Sequence, residues 1–241
     1  MPTLDPNTAL AELVTANPSL ARHLDRLGLD YCCGGNRRLA DAVDSAGLGL
    51  DDVLSDLGGQ LADAGPLPEE SDWSTMSPAE LVDHLEATHH AYLREALPRL
   101  TALADKVASV HGSRHPELVE VQRLVAELRA DLEPHLLKEE RVLFPMIREL
   151  ATATSAPAFH CGTLNNPIQV MSAEHDMAGD LLAQLRAATG DYTLPGDACA
   201  SYQALYSGLA ELEADTHLHV HKENNVLFPA VLDAEQQLAT R

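Results

Sequence analysis

Aromatic side chains are scarce in this chain: one Trp, five Tyr and three Phe in 241 residues. β-Branched residues are thin as well, while Ala and Leu dominate, which argues against a sheet protein and for an all-α one. Basic residues are few, 16 Lys and Arg against 37 Asp and Glu, for a formal net charge of −21. A nucleic-acid binder needs a basic stripe to neutralise phosphates, and none is visible. An anionic membrane surface is disfavoured on the same ground, and the charge is read as a solubility feature. No apolar run approaches the roughly eighteen residues of a membrane span. The start, Met1-Pro2-Thr3-Leu4-Asp5-Pro6, has no basic region ahead of an apolar one, so no signal peptide is expected and the expected location is the cytoplasm. Four cysteines in this length make no disulfide framework.

What the chain does have is a repeat. His135-Leu136-Leu137-Lys138-Glu139-Glu140-Arg141-Val142-Leu143-Phe144-Pro145 returns as His219-Val220-His221-Lys222-Glu223-Asn224-Asn225-Val226-Leu227-Phe228-Pro229. Positions i and i+4 of a helix lie one above the other, so each copy presents an imidazole and a carboxylate on one face. His90 precedes His135 by 45 residues and His175 precedes His219 by 44, so each half reads as a helix with one His, a turn, and a helix with the motif.

In chain order, residues 1–64 read as a small helical domain. Leu10, Leu13 and Val14 begin it; Pro18 starts a helix carrying Leu20, Leu24 and Leu27 that Gly28 closes; Asn36 is the expected N-cap of a helix over Arg37–Ala46; and a last helix runs about Asp51–Leu61. Cys32 and Cys33 lie in the turn Asp30-Tyr31-Cys32-Cys33-Gly34-Gly35. A helix start and the nearby Arg37 and Arg38 would favour thiolate, giving redox, metal or thiol-exchange chemistry; the plainer reading is two small residues in a tight turn. Residues 65–76, rich in Pro, Gly and acid, form the expected linker. Residues 77–241 then form an antiparallel four-helix bundle. Ser77-Pro78-Ala79-Glu80 opens its first helix, which is expected to kink at Pro98; Pro134 and Pro145 interrupt the second; Asn166-Pro167 opens the third; the fourth runs about Asp197–Leu238.

Pseudo-symmetry brings His90, His135, His175 and His219 to one level, with Glu139 and Glu223 a turn away. Four imidazoles and two carboxylates suit a non-haem di-iron centre, each Glu bridging two metals that take two His apiece. The absence of Cys from the set argues against structural zinc. The faces agree: His219 shares a stripe with Leu212, Glu223 and Val226, and His135 with Leu128, Leu132, Glu139 and Val142, where an unpaired carboxylate would be costly. His89 rivals His90, and the repeat spacing favours His90. His217 and His221, on a stripe with Glu213, Asn224 and Asn225, are read as surface residues or as supports for the ligands. His84 is read as peripheral, and His23, His111, His115 and His160 as surface or loop residues. Tyr92, Tyr202 and Tyr206 are read as core.

These motifs, together with Leu143-Phe144-Pro145-Met146-Ile147 and Glu174-His175-Asp176, resemble the iron–sulfur cluster repair di-iron proteins, also called the repair of iron centres family. The resemblance spans nearly the whole chain. It implies a hemerythrin-like bundle joined to a small double-Cys domain and a centre of two non-haem iron ions, oxo- and carboxylate-bridged, held by His90, His135, Glu139, His175, His219 and Glu223. It also implies the repair of clusters damaged by nitric oxide or oxidants. The expected function is iron supply from a labile centre, with Cys32 and Cys33 serving redox or iron hand-off. The alternative is an enzyme or sensor that binds nitric oxide or dioxygen. Expected partners are damaged iron–sulfur proteins and those small ligands, with homodimerisation as a further association; nucleic acid and membrane are not expected.

Overall fold

The structure, a computed structural model, describes residues 4–63 and 73–240. The expected linker over 65–76 therefore lies mostly outside the described residues. Among the described residues the regular structure is helical, apart from isolated bridges at Ala9–Arg38 and Phe159–Gly162.

Four short helices come first: α1 (Leu10–Ala16), α2 (Ala21–Leu27), α3 (Leu39–Ser45) and α4 (Leu50–Asp63). Pro18–Leu20 form a 3₁₀ turn ahead of α2, and Gly28 closes α2 in the left-handed region at φ 67°, where a side chain would be strained. Helix α3 starts later than expected and Asn36 does not cap it. Arg38 is the extended residue ahead of the helix, because the backbone there is already committed: Arg37 O accepts from Leu10 N, and Leu39 N donates to Thr8 O. Leu10, Leu20, Leu24, Leu39, Val43 and Leu57 close the small core.

The bundle follows as α5 (Pro78–Leu85), α6 (Ala91–His111), α7 (Glu117–Lys138), α8 (Phe144–Thr152), α9 (Asn165–Ala188), α10 (Ala200–Lys222) and α11 (Phe228–Ala239). Ser77 and Glu80 form a reciprocal capping box at the start of α5. Wide π turns join α5 to α6 (Glu86–His90), α7 to α8 (Glu139–Leu143) and α10 to α11 (Glu223–Leu227), so that three long helical rods run through them beside α9. The interior prolines divide: α6 continues through Pro98 and α7 through Pro134, while Pro145 and Pro229 follow directly on π turns that hold Arg141 and Asn225, the residues four back whose carbonyls a proline leaves without a donor. Packing runs from α6 to α7, α7 to α9, α9 to α10 and back to α6, which closes a four-helix ring.

Each π turn adds a residue to the helical repeat and rotates the helix beyond it. As a result Val142, expected to face inward with His135, is 38% exposed, and Leu143 is buried in its place. Two apolar layers fill the bundle. One, around Leu97, Leu124, Leu128 and Leu209, lies toward the α6–α7 turn. The other, around Trp73, Leu85, Ile147 and Val231, lies toward α8 and α11. Tyr202 and Tyr206 belong to the first layer, as the sequence suggests.

The N-terminal helices pack on α10. Val220 joins their core, His221 is fully buried between Thr15 Oγ1 (3.1 Å) and the carbonyl of Tyr31 (3.2 Å), and His217 Nδ1 lies 2.8 Å from Asp25. This corrects the expectation for His217 and His221. Their polar stripe is the face that the N-terminal helices cover. Glu213, on the same stripe, is buried against the Arg186 guanidinium at 2.7 and 3.0 Å. His111 is another correction: it is buried, with Nε2 3.2 Å from Cys199 Sγ and its ring against Tyr202. His160 is exposed, as expected.

Candidate metal centre

The three π turns carry His90, Glu139 and Glu223, and His175 comes from the unbroken α9. With His135 and His219 from the last turns of α7 and α10, the six residues singled out by spacing stand together between the two apolar layers. All six are buried, and both carboxylates are fully inaccessible.

Their atoms fall into two groups, His90–His219 and His135–His175, and both groups share Glu139 and Glu223. Each carboxylate turns one oxygen to each group. Glu139 Oε2 lies 3.4 Å from His90 Nε2, and its Oε1 lies 3.3 Å from His135 Nε2. Glu223 Oε1 lies 3.2 Å from His219 Nε2, and its Oε2 lies 3.1 Å from His175 Nε2. The ring nitrogens of His135 and His175 face each other at 3.2 Å.

These atoms are close but poorly bonded. Both oxygens of Glu139 and of Glu223, His90 Nε2 and both nitrogens of His219 have no hydrogen-bond partner among the described residues. Orphaned polar atoms in a dry interior cost several kcal/mol each, on the order of 2–7. Within each group the atoms lie within 4.8 Å of one another. Opposite ligands on an ion with bonds of about 2.1 Å sit ~4.2 Å apart. The residues fit two cations of a type that takes imidazole and carboxylate.

The outer ring nitrogens are held from outside. His90 Nδ1 lies 2.8 Å from Glu140, which also pairs with Arg94; His135 Nδ1 lies 2.9 Å from Glu174, which also pairs with Lys138; His175 Nδ1 lies 2.9 Å from Asn224. Each contact fixes the ring with Nε2 inward. Phe144 stacks on His90 and Phe228 on His175, each the Phe of one repeat covering the His of the preceding rod or helix. Glu140, Asn224 and Glu174 stand in the motifs named from the sequence, but none of them was given there the role of holding a ring. The signal was present for two of them, since Glu140 and Asn224 take the same place in the two copies.

The fourth ring breaks the pattern. His219 Nδ1 has no partner, and His89 is stacked on it at 5.3 Å with planes 4° apart. His89 precedes His90 as Glu174 precedes His175. It bonds to Asp215 (2.9 Å) and to Lys222 (2.8 Å), which answers to Lys138 in the other half. A histidine thus occupies the place of the carboxylate that orients His135. Of the two rivals, His90 faces the carboxylates, while His89 supports the neighbouring ring. His84 also contacts Lys222, at 2.9 Å.

Charge follows from this packing. Burial works to lower His135, but Glu139, with Glu223 and Glu174, outweighs it and lifts the group to about 9. Burial and the neighbouring Glu223 push Glu139 up, yet His135 and His90 carry it below its ordinary value. Burial also opposes ionisation of Glu223, and His219 and His175 hold it well below the usual carboxylate range. Burial, reinforced by Lys222, holds His89 well below its ordinary value.

Cys32 and Cys33 lie apart from this centre, with free thiols. Their setting differs from the expected one. Asp30 accepts from the backbone N–H of Cys32, Cys33 and Gly34, and its Oδ1 is 3.2 Å from Cys32 Sγ. The hydrogen bond with Cys33, burial and the Asp30 charge push the Cys32 thiol well above its ordinary value. Arg37 is turned away, bonded to Asp41 O and Ser45 Oγ. Cys32 is therefore a neutral thiol, not a thiolate favoured by a helix end. Asn225, two residues past Glu223, donates to the carbonyl of Cys32 at 2.8 Å and so ties this turn to the second repeat.

Comparison with known proteins agrees with the geometry. Residues 81–231 match the Hemerythrin HHE cation binding domain, and residues 6–60 match a domain of unknown function, DUF542. A "Probable iron-sulfur cluster repair protein" of Haemophilus influenzae is 37% identical over 227 residues, covering 93% of this chain and 96% of that one. The "Iron-sulfur cluster repair protein YtfE" of Cronobacter sakazakii is 36% identical over 227 residues, with 94% and 97% covered. Its namesake in Escherichia coli is 35% identical over 226 residues, with the same coverage. A buried site of four histidines and two shared carboxylates inside a helical bundle, and likeness to these proteins along almost their full length, lead to one assignment: this chain is an iron-binding member of the hemerythrin HHE family, in the group formed by the iron–sulfur cluster repair proteins.

Proposed function

We propose that this chain supplies iron to iron–sulfur proteins whose clusters have been damaged by nitric oxide or oxidants. The reading places one ion between His90 and His219 and a second between His135 and His175, with Glu139 and Glu223 shared by both; the oxo bridge expected from the sequence belongs to the same proposal. The observation that carries it is the shared pair of fully buried carboxylates whose oxygens find no protein partner. When loaded, such a centre supplies exchangeable iron, since ferrous iron binds imidazole and carboxylate less tightly than most later first-row metals.

The protein's own part is to shape and isolate the site. Glu140, Glu174 and Asn224 hold three rings in register, and Phe144 and Phe228 keep water from two of them. Cys32 and Cys33, joined to the second repeat through Asn225, serve in hand-off to the recipient rather than in holding the bundle iron. The names of the relatives support the same recipient class.

The test compares iron content, optical spectrum and iron transfer to an apo acceptor for the wild type and for Glu139→Ala combined with Glu223→Ala. Near two irons per chain, lost in the variant, and iron appearing in the acceptor are the expected results. Equal iron in the variant would remove the site, and steady turnover of nitric oxide with no iron leaving the protein would replace the donor reading by an enzymatic one.

A further inference from the structure

The turn that carries Cys32 and Cys33 has the shape of a metal site in its own right. The two sulfurs are 3.9 Å apart. Two thiolates on one tetrahedral ion, with bonds of about 2.3 Å, sit ~3.8 Å apart, so the pair is already set at chelating distance. Asp30 adds an oxygen 3.2 Å from Cys32 Sγ, and atoms of all three residues lie within 4.8 Å of one another. Vicinal cysteines left to themselves have no reason to converge with a carboxylate. Here the backbone imposes it, because Asp30 is anchored by the amides of Cys32, Cys33 and Gly34. Gly35 lets the turn seat against the bundle, since a Cβ there would lie 2.5 Å from Tyr31 O and 2.9 Å from Asn225 Oδ1.

The turn also opens onto a cleft. A cavity of about 400 Å³ with largely apolar walls runs between the N-terminal helices and the α9–α10 face; of its charged groups Glu213 pairs with Arg186 and Asp25 with His217, while Asp30, Asp176 and Asp180 face no such cation. The three carboxylates left over give the cleft a negative balance, which attracts cations. Asp176 follows His175 and Asn225 lies two residues from Glu223, so the cleft and the turn adjoin the elements that carry the bundle centre.

We propose that Asp30, Cys32 and Cys33 form a second metal site, separate from the bundle, for a thiophilic divalent cation, ferrous iron in the working protein. Binding is an exchange: the cation takes both sulfurs as thiolates and one oxygen of Asp30, and the two thiol protons leave to solvent. Three protein ligands leave one position open, the arrangement of sites that exchange ligands rather than of closed structural ones. Its use as a station for iron leaving the bundle rests on the donor reading above; the site itself does not.

The test uses the full chain, reduced and free of oxygen, titrated with Co²⁺. Sulfur ligation gives an intense near-ultraviolet charge-transfer band that imidazole and carboxylate do not give. The expected result is one equivalent of that band in the wild type and in the Glu139→Ala, Glu223→Ala chain. Its loss is expected in Cys32→Ser and in Cys33→Ser, and affinity at least tenfold weaker in Asp30→Asn, which keeps the acceptor for the amides of Cys32 and Cys33 and gives up the one for Gly34. Unchanged helical circular dichroism shows that the variants fold. Absence of the band at saturating Co²⁺, or its persistence in both serine variants, overturns the proposal. A wild type that gives the band but passes no iron to an apo acceptor keeps this site and removes the donor reading; iron transfer without the band does the reverse.

Discussion

Removing the Glu174 carboxylate should erase a difference between the two halves of the metal centre. Glu174 holds His135 through Nδ1 at 2.9 Å and is itself held by Lys138. The matching place beside His219 is taken by His89, and His219 Nδ1 is left without a partner. Loss of such an outer hydrogen bond typically lowers metal affinity about 10- to 100-fold, which corresponds to ~1.4–2.7 kcal/mol. The His135–His175 ion in the wild type should therefore be held about 10- to 100-fold more tightly than the His90–His219 ion. Because Glu139 and Glu223 serve both, the first ion to leave weakens the second, so the order of loss is the diagnostic. Anaerobic competition between ferrous protein and a chelator of known affinity reads it directly. The wild type should release its ions in two resolved steps. In Glu174→Ala they should leave in one step, near the weaker affinity, whereas Glu174→Gln, which keeps an acceptor, should stay close to wild type. A single step for the wild type, or two steps unchanged in Glu174→Ala, would refute the reasoning.

In the metal-free protein His135 titrates at about 9 instead of 6.5. The raised value means that its stabilising interaction is complete below pH 6.5 and is lost as pH rises through about 9, a change of roughly 3 kcal/mol that urea unfolding at a series of pH values would measure. Over the same range metal affinity should climb about tenfold per pH unit for this one displaced proton, which titration with Zn²⁺ tests. Gly35→Ala should destabilise the packing of the N-terminal helices on α10 by about 1–3 kcal/mol, because the new Cβ meets backbone at Tyr31 and cannot be accommodated by a side-chain shift; limited proteolysis and thermal unfolding report it. Phe228→Ala should cost about 3–5 kcal/mol and should expose one face of His175 to water, seen as lower thermal stability and faster metal loss.

The long helices and the six residues of the centre were legible because they rest on signals that a linear chain carries: the Ser77–Glu80 capping box, Gly28 as a stop, and two motifs at one offset from their partner histidines. The π turns were not. One additional residue in a helical turn changes neither composition nor capping, yet it turns Val142 outward and brings Leu143 in. The stripe of Glu213, His217 and His221 was misread for another reason. A polar face that meets a polar partner has the same pattern as one that meets water, and only the position of Asp25, Thr15 and Tyr31 tells them apart. For the cysteines, the expected helix start and the cations Arg37 and Arg38 were given the governing charge; the chain path gives that role to Asp30, two residues before Cys32, whose carboxylate is tied into the turn.

Asn225 is where the duplicated halves part company. The residues of the first copy that answer to His217, His221 and Asn225 are Glu133, Leu137 and Arg141; Leu137 and Arg141 lie exposed to solvent. The second copy is tied to the N-terminal helices: Asn225, two residues past Glu223, donates to the carbonyl of Cys32. A centre built from two copies of one motif thereby acquires a direction, with one end that answers to the rest of the chain and one that answers to the surroundings.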